Sequence, residues 1–581
     1  MKEKVSGKEK LLSIAGFIAS LIVCVAVCLF PYVKNGIPGH IIDLIYSLER
    51  IEGLKDALKH GDVFASVYPR FFEGCGYGTP LFYSDFFFVP AAVLRLIGLS
   101  PTQSFKLFMA LIVSMSFTIS YLCYKGISKD RVTGLLAAIV STTSIYFIWE
   151  IVYRAGISSY IASSFIPVLA YAVWDFVNDK EKCGKKTFLF TIAFLGMALS
   201  HIMTAVTALV ITVIVFAVLS FIPRFRKIIW NFSSIKRLVS YAGLTVGLSA
   251  FYLFPMIEQM RSGHFCYENP LVYIGDFVVP FKSLFGLRAY TEEYNANIGL
   301  GVVLWIAAAA TVCFSLWKKK IAAALLSIIG IIISLSITDI FPWRIFNNTP
   351  INSLQFSFRL FPFAICFIVL GAVLAVSMQN RTVKAVSFAF MAFLSIVFAI
   401  NENRGVVASE LSLSFGEEFL DTEGTYYVGM GTEWLPIEAD TSSFANKEIK
   451  AVIGGSSDDE SSPDFEIPSG WQLCTAGYNR YCFEDSEGGM AKYTLPLVYY
   501  KGYKAYLTDE DGVKTSLPVH KSKKGLLSIE NPGQEAGIVN VVYKPTVVKI
   551  ISVIISLICI YFSVWYPFKT FKASSNSSSA S

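Results

Sequence analysis

Between His40 and Gly98 the chain gathers the residue types that group transfer requires: Asp43, Glu49, Glu52 and Asp85 as carboxylates and Arg50 as a cation. The segment is aromatic and Gly-rich and follows the first hydrophobic run, so its charged groups would sit at one membrane interface and suit chemistry on a lipid headgroup. Moving a sugar from a membrane-anchored donor needs three things there. A carboxylate takes the proton from the acceptor hydroxyl as it attacks. Cationic or hydroxyl groups, or a metal, offset charge developing on the leaving phosphate. An apolar groove holds the lipid chain. Asp43, about nine residues beyond the first run, is the best-placed base. Arg50 follows seven residues later, near two helical turns, and would share its face if the stretch is helical. Ile42, Ile45, Leu48, Ile51 and Leu54 recur every three residues, which supports a helix lying in the interface. On spacing alone the Asp–Arg pair is weak evidence, because acids in loops are usually just solvated.

Positioning these groups is the task of a membrane domain. The 581 residues are 54% hydrophobic and 16% charged, with a mean hydropathy of +0.55. A soluble chain of this size could not bury so much apolar surface, so the composition predicts a polytopic membrane protein. Runs near 12–34, 103–123, 132–149, 158–177, 187–201, 204–222, 238–256, 299–316, 321–340, 360–378, 385–401 and 547–568 are each about long enough to span. The first is longer than a signal-peptide core and has no small-residue cleavage site, so it reads as a retained helix.

The run 81–98 is ambiguous, and charge decides it. With the N-terminal Lys2, Lys4, Lys8 and Lys10 in the cytoplasm and 81–98 lying along the interface, every second connection is basic and inside. Those connections carry Lys125, Lys129 and Arg131, then Lys180 to Lys186, Arg224 to Arg237, Lys318 to Lys320, and Arg381 with Lys384. The tail with Lys569 and Lys572 also falls inside. A crossing 81–98 would reverse every later connection, and Pro80, Asp85, Pro90 and Arg95 make it a poor span. The expectation is therefore an all-α membrane protein of about twelve spans, residues 1–401 with an exterior first loop 35–102. An exterior segment 402–546, a last span 547–568 and a cytoplasmic tail 569–581 complete it. The basic residues are accounted for by topology, and nothing calls for a nucleic-acid partner.

Segment 402–546 is the candidate soluble domain. Gly, Ser and Asp around 454–464 read as a loop, and alternation in Lys492–Tyr500 and Ile538–Tyr543 predicts a small antiparallel sheet or sandwich. The Ser-rich end 574–581 reads as a disordered tail. Trp434, Trp471, Tyr478 and Tyr481 are compatible with sugar stacking, although aromatics in small β-domains are more often core. Most of the eleven cysteines lie in spans as small apolar fillers. Cys474 and Cys482 could close a hairpin disulfide or stay reduced, and none of the eleven has zinc-site spacing.

Other titratable groups sit at the outer ends of spans: Glu150 and Arg154, His201, Glu258, Arg261 and His264, Arg344 and Arg359. Snorkelling to headgroups explains each arginine as well as a binding role does, and a histidine at a tight turn is more often structural. Helix centres, by contrast, are nearly free of charge, which disfavours a proton-coupled transporter.

Several stretches resemble the bacterial YfhO-like membrane proteins and the related group labelled pyruvoyl-tetrahydropterin synthase-related. They are Asp43–Gly53, Gly74–Pro90, Tyr153-Arg154-Ala155, Ser200-His201, Ser249–Pro255, Gln355–Arg359, Gly431–Pro436 and Leu495–Gly502, in the expected order along nearly the whole chain. The resemblance implies a GT-C glycosyltransferase architecture, in which an acidic first exterior loop carries the catalytic Asp and the donor is a polyprenyl-phosphate sugar. It places Asp43 in the catalytic position and makes Arg154 and Arg359 candidates for contacting the lipid phosphate; from the residues themselves, Arg50, Glu52, Asp85 and His201 are further substrate-binding candidates. Ser47 and Ser159 depart from the pattern, standing where the family often has His and Glu, which implies a different acceptor or lost activity. A divalent cation is used by some GT-C enzymes and not others; Asp43, Glu49, Glu52 and Asp85 could supply its oxygen ligands. The preferred reading is an inverting transferase acting outside the cytoplasm on a cell-envelope glycopolymer, such as a teichoic acid, or a glycolipid. A transporter or flippase of a lipid-linked precursor, and a non-catalytic envelope-assembly protein, are the alternatives.

Overall fold

The computed structural model describes residues 7–34, 43–72, 74–178, 188–269, 272–286, 298–377, 379–408, 432–439, 474–485, 488 and 491–578. Trp471 and the loop 454–464 lie outside the described residues. Seven of the described helices are long and apolar enough to cross a membrane: Leu11–Cys28, Pro101–Ser128, Ile157–Asn178, Ile202–Ser220, Phe232–Met260, Ser357–Ser377 and Thr382–Arg404. The pair Arg131–Thr142 and Ile145–Arg154, bent by 50° at a short break, makes an eighth if read as one span. Shorter apolar helices Phe188–Ala198, Val302–Trp317, Ile321–Ser336 and Val547–Ser563 fall where the sequence predicts the remaining spans. The protein is thus a mostly helical, multi-pass membrane protein.

The ambiguous run 81–98 folds as a 3-10 turn, Phe86–Phe88, and a helix of eight residues, Val89–Leu96. Together, as Phe86–Leu96, they form a shorter apolar helix of the same class as Phe188–Ala198. Pro90 fits the first turn, where no N–H partner is lost, and Gly98 (φ +96°) takes the left-handed conformation just after the helix. The last helix, Val547–Ser578, runs past the boundary expected at 568 and into the Ser-rich end that reads as a disordered tail.

The chain divides into two compact units, Met1–Leu44 with Ser100–Thr245 and Val272–Glu417, and Ile45–Leu99 with Val246–Leu271 and Glu418–Ser581. The first is a helix bundle. Its helix Phe361–Ser377 is buried along most of its length and packs against Ile321–Ser336 through small residues. A Cβ on Gly330 would come within 2.8 Å of the Ala364 carbonyl oxygen, and one on Gly371 within 2.8 Å of the Ala323 carbonyl oxygen. Close approach of backbones through glycine is a common way for helices to associate where water supplies no hydrophobic drive.

The second unit contains two antiparallel sheets. Its strands are β1 (Cys474–Gly477), β2 (Arg480–Asp485), β3 (Lys492–Val498), β4 (Tyr503–Thr508), β5 (Lys514–Leu517), β6 (Val519–Lys521), β7 (Leu526–Glu530) and β8 (Gly537–Tyr543). One sheet has the order β1-β2-β8-β4-β5 and the other β3-β7-β6. Alternate residues Tyr481, Phe483, Tyr493, Leu495, Leu497, Ala505, Leu507, Val539 and Val541 fill the space between them, as the alternation predicts. Tyr481 is therefore core. Cys474 and Cys482 stand opposite each other in the β1–β2 register, and Cys482 is a free thiol. The first-loop segment is joined to these sheets: Val498 N–H donates to Cys75 O (2.8 Å) and Asn479 Nδ2 to Val67 O (2.9 Å). Lys549, at the start of the last helix, donates to Ala65 O (3.0 Å) and pairs its Nζ with Ser66 Oγ.

The glycine contacts give a stability prediction. Gly371→Ala forces a methyl against the rigid Ala323 carbonyl, and overpacking of this kind costs about 1–3 kcal/mol. The purified variant in detergent is expected to melt below wild type, while Gly243→Ala, which meets nothing within 4 Å, should show no such overpacking loss.

Candidate functional site

In the first unit the site is built at the broken helix. The apolar run 131–154 bends by 50° after Thr142 and resumes at Ile145, then closes with a π-helical turn over Trp149–Arg154. Ala155 ends it in the left-handed conformation (φ +52°), unusual for a residue with a Cβ. Wide turns and positive φ values cost free energy and are kept where the surroundings fix them, commonly beside functional groups. Here they present Arg154. Its guanidinium, buried at 6% exposure, lies between two carboxylates: Nη2 is 3.2 Å from Asp43 Oδ2 and Nη1 is 3.0 Å from Glu150 Oε1. Asp43 N–H donates to the Arg154 carbonyl oxygen (3.3 Å), so main chain and side chain both hold it. The Asp43 side chain keeps 34% of its surface exposed, whereas Glu150 is fully enclosed.

Glu150 accepts from Ser159 Oγ, whose hydroxyl also contacts Gly156 O at 2.9 Å. Gly156 is required by this packing, because a Cβ there would collide with the Glu150 carboxylate. The position where the resemblance leads one to expect a Glu is thus occupied by a serine that bonds to Glu150. Arg359 completes the cluster. Its guanidinium carbon is 5.2 Å from the Phe356 ring centroid, that of Arg154 is 5.6 Å from the same ring, and Arg154 also lies 5.3 Å from Phe358. Two cations share one aromatic ring, an arrangement in which the ring's negative face offsets part of their repulsion. Arg359 Nη1 also donates to Leu354 O (3.1 Å).

His201 is placed differently. It is the N-cap of the helix Ile202–Ser220, its Nδ1 accepting from Thr204 N–H (3.3 Å) and lying 2.9 Å from Thr204 Oγ1. A ring nitrogen used this way satisfies one of the helix's unpaired N–H groups. Of the remaining outer-end arginines, Arg344 is exposed.

In the second unit the helix Leu44–Lys59 carries the other candidates, and Asp43 sits one residue before its first turn. The three-residue periodicity is real, with Leu48, Ile51 and Leu54 buried. The polar positions are buried as well: Ser47, Glu49, Arg50 and Glu52 all expose 4% or less, so the helix has no solvated face there. Arg50 Nε donates to Asp85 Oδ1 (2.7 Å) and Arg50 Nη2 to Ser84 O (3.1 Å). Its guanidinium carbon lies 4.9 Å from the Tyr83 ring and 4.3 Å from Phe88. Asp85 takes a second hydrogen bond from Tyr68 OH (2.6 Å), and Tyr68 packs on Gly53, where a Cβ would meet its ring at 2.7 Å. Glu52 pairs with Arg95 and, at 2.6 Å, with Lys55.

The expected metal ligands are therefore occupied by cations: Asp43 by Arg154, Glu52 by Arg95 and Lys55, Asp85 by Arg50. Among the described residues no three His, Cys, Asp or Glu side chains converge on one point. The described residues therefore gather no divalent-cation site. Glu49 is the exception in another sense, for both its carboxylate oxygens are buried without a hydrogen-bond partner among the described residues.

The central part played by Glu150 went unread in the sequence, although its four-residue spacing to Arg154 is the signal that would have paired them. Phe356 and Phe358 lie in the quoted stretch Gln355–Arg359 but carry no charge to attract notice.

A multi-pass helical membrane protein with a buried arginine joining two carboxylates at a broken helix is the class this fold and cluster define. The chain belongs to the 6-pyruvoyl-tetrahydropterin synthase related domain family of membrane proteins, whose model matches residues 81–404. It is 24% identical over 322 residues to an uncharacterized protein of Lactococcus lactis subsp. cremoris (strain MG1363), covering 52% of this chain and 50% of the relative. The chain thus spans about half the length of the curated relative it matches. Among solved structures it is similar to the arabinofuranosyltransferase AftD from Mycobacteria, at 14% identity and a TM-score of 0.44, covering 67% of this chain and 27% of that one. It is also similar to the Archaeoglobus fulgidus oligosaccharyltransferase in the apo form, at 11% identity and a TM-score of 0.35, covering 70% and 57%.

Glu49 yields a pH prediction. Burial pushes its carboxyl well above the usual carboxylate range, so the unfolded chain ionises at a lower pH than the folded one. Wild-type stability then falls as pH rises through that window, because the folded state keeps a proton that the unfolded state has lost. Glu49→Gln, neutral in both states, should melt above wild type near about pH 8 and lose that advantage near about pH 4. A melting difference independent of pH would show that Glu49 ionises freely in the fold.

Proposed function

We propose that this protein is an inverting membrane glycosyltransferase that moves a sugar from a polyprenyl-phosphate donor to a cell-envelope glycopolymer or glycolipid. The observation that carries the reading is the half-exposed Asp43 carboxylate held by the buried guanidinium of Arg154. A general base must be reachable by substrate and fixed in direction, and Asp43 is both. In the proposed step the acceptor hydroxyl gives its proton to Asp43 as its oxygen bonds to the anomeric carbon. The bond from that carbon to the phosphate oxygen breaks on the opposite side, and polyprenyl phosphate leaves. Arg359 and Arg154 offset the charge that grows on the phosphate. Glu150 balances Arg154 so that the cation remains in place before substrate binds. Arg50, Glu52 and Asp85 act as positioning groups in the first-loop segment, and His201 as the cap of its helix.

The charge pattern supports a cytoplasmic-membrane orientation with both termini inside, the His40–Gly98 segment and 402–546 outside, and the reaction on the outer face. A transporter of a lipid-linked precursor is the second reading. What favours it is a small recess in the first unit where Ser116, Ser120, Ser141 and Ser163 stand beside Phe147 and Ile365.

The test is mass spectrometry of envelope glycans from cells lacking the protein, complemented with wild type or Asp43→Asn at matched membrane levels. A hexose-sized mass should vanish on deletion, return with wild type, and stay absent with Asp43→Asn. Full rescue by Asp43→Asn would remove the catalytic assignment and favour transport or assembly.

A further inference from the structure

The turn that follows the span Ile202–Ser220 in the first unit has no part in the transferase chemistry. It holds the short helix Pro223–Ile229 and leads at Phe232 into the next span. A turn between two consecutive spans lies at a bilayer surface. Phe225, Ile228 and Ile229, spaced i, i+3 and i+4, form the buried or half-buried side of the short helix. Arg224, Arg226 and Lys227 fall on its opposite side and are exposed, as is Lys236 early in the next span. The sequence has no Asp or Glu between Glu181 and Glu258, so the turn carries no acid of its own to answer these charges. Phe221, Trp230 and Phe232 flank the cations and are each at least 65% exposed, so the protein leaves these rings uncovered. Trp230 is fixed against the end of the preceding span, its Nε1 donating to Ser220 Oγ (3.0 Å).

Topology asks only that some basic residues lie near span ends, and scattered lysines would satisfy it. This turn adds two arginines on the outward side of a helix and large bare rings where span meets turn. A guanidinium offers a phosphate two parallel N–H donors and keeps its charge at any accessible pH. Exposed rings at this level suit the boundary between headgroups and acyl chains. A soluble anion would engage the cations and leave the rings in water. A zwitterionic headgroup would bring its own cation to each phosphate. A lipid with a net negative headgroup answers both features. We propose that the turn 221–237 is a binding surface for anionic phospholipid, with the headgroup at its cations and the acyl chains against its rings. The proposal goes beyond the transferase reading and does not depend on Asp43.

The test is photo-crosslinking of the full-length protein in phosphatidylcholine nanodiscs, followed by peptide mapping. The probes are photoactivatable phosphatidylglycerol and phosphatidylcholine of equal acyl length, each added as a small fraction. Peptides from 221–237 should be labelled more by the phosphatidylglycerol probe. A cation near a membrane surface contributes on the order of a fivefold preference for anionic lipid. Arg224→Gln, Arg226→Gln and Lys227→Gln should each lower the labelling ratio by about that factor, and the triple variant should bring it near parity. Lys514→Gln, on β5 in the second unit, should leave the ratio unchanged, as should Asp43→Asn, and melting temperatures should show every variant folded. Wild type supplies a reading free of any substitution: raising salt from about 0.05 M to about 0.5 M shortens the screening length and should lower the ratio severalfold. The proposal is overturned if both probes label the turn equally, if the triple variant keeps the wild-type ratio, or if salt leaves it unchanged. It is also overturned if inorganic phosphate at constant ionic strength abolishes the preference, which marks a soluble-anion site. Replacing Lys318, Lys319 and Lys320 together by Gln should leave labelling of 221–237 unchanged; an equal loss there would mark a general surface field and overturn it.

Discussion

A guanidinium withdrawn from water has to take a carboxylate with it, and much of this protein follows from that constraint. Arg50, Arg95 and Arg154 expose 9% or less, and they pair with Asp85, Glu52, and Asp43 with Glu150. The net stabilisation from such a pair is small, since desolvation cancels most of the attraction, but removing one partner costs about 3–5 kcal/mol. The pairs therefore act less as a source of stability than as a specification of geometry. They fix which turn of the helix Leu44–Lys59 meets Asp85, and which way Asp43 faces.

Within the first unit the same constraint explains the irregular backbone. A regular helix through 149–154 would not also supply the Ala155 turn and the Gly156 clearance that seat Glu150 against Ser159. The wide turn delivers one arginine side chain to two acids at once. Phe356 then lets a second arginine approach, because the ring face offsets part of the repulsion. The result is a cluster in which Glu150 and Arg154 are enclosed while Asp43 and Arg359 are partly exposed.

Much of this was legible in the sequence, for physical reasons that differ by element. Spans were readable because a bilayer demands about 20 apolar residues and rewards basic inner loops, and helices such as Pro101–Ser128 and Ile202–Ser220 meet that demand plainly. The interfacial placement of 81–98 is an expectation from charge outside it, and the segment carries the short helix Val89–Leu96. The strands were readable from alternation, as in Lys492–Val498. What resisted reading was partnership. Asp43 and Arg50 are two turns apart in sequence, yet Arg50 bonds to Asp85, 35 residues away, and Asp43 to Arg154, more than a hundred away. Side-chain spacing reports which groups share a local face and is silent about what another segment brings to it. For the same reason the acids of the first loop read as solvated, although the helix that holds them is enclosed.

The second unit is assembled from three separate stretches of chain, and this has a consequence for how the protein is made. Cys75 waits for its backbone partner Val498 until about 420 further residues have been translated. At roughly 5–20 residues per second that is on the order of 20–85 seconds. Throughout that interval the first-loop segment has emerged but its sheet has not, while several membrane helices are being inserted between them. Biogenesis of the first loop is thus tied to the last strands of the protein, and a chain truncated before β3 would leave this segment without its folding partner.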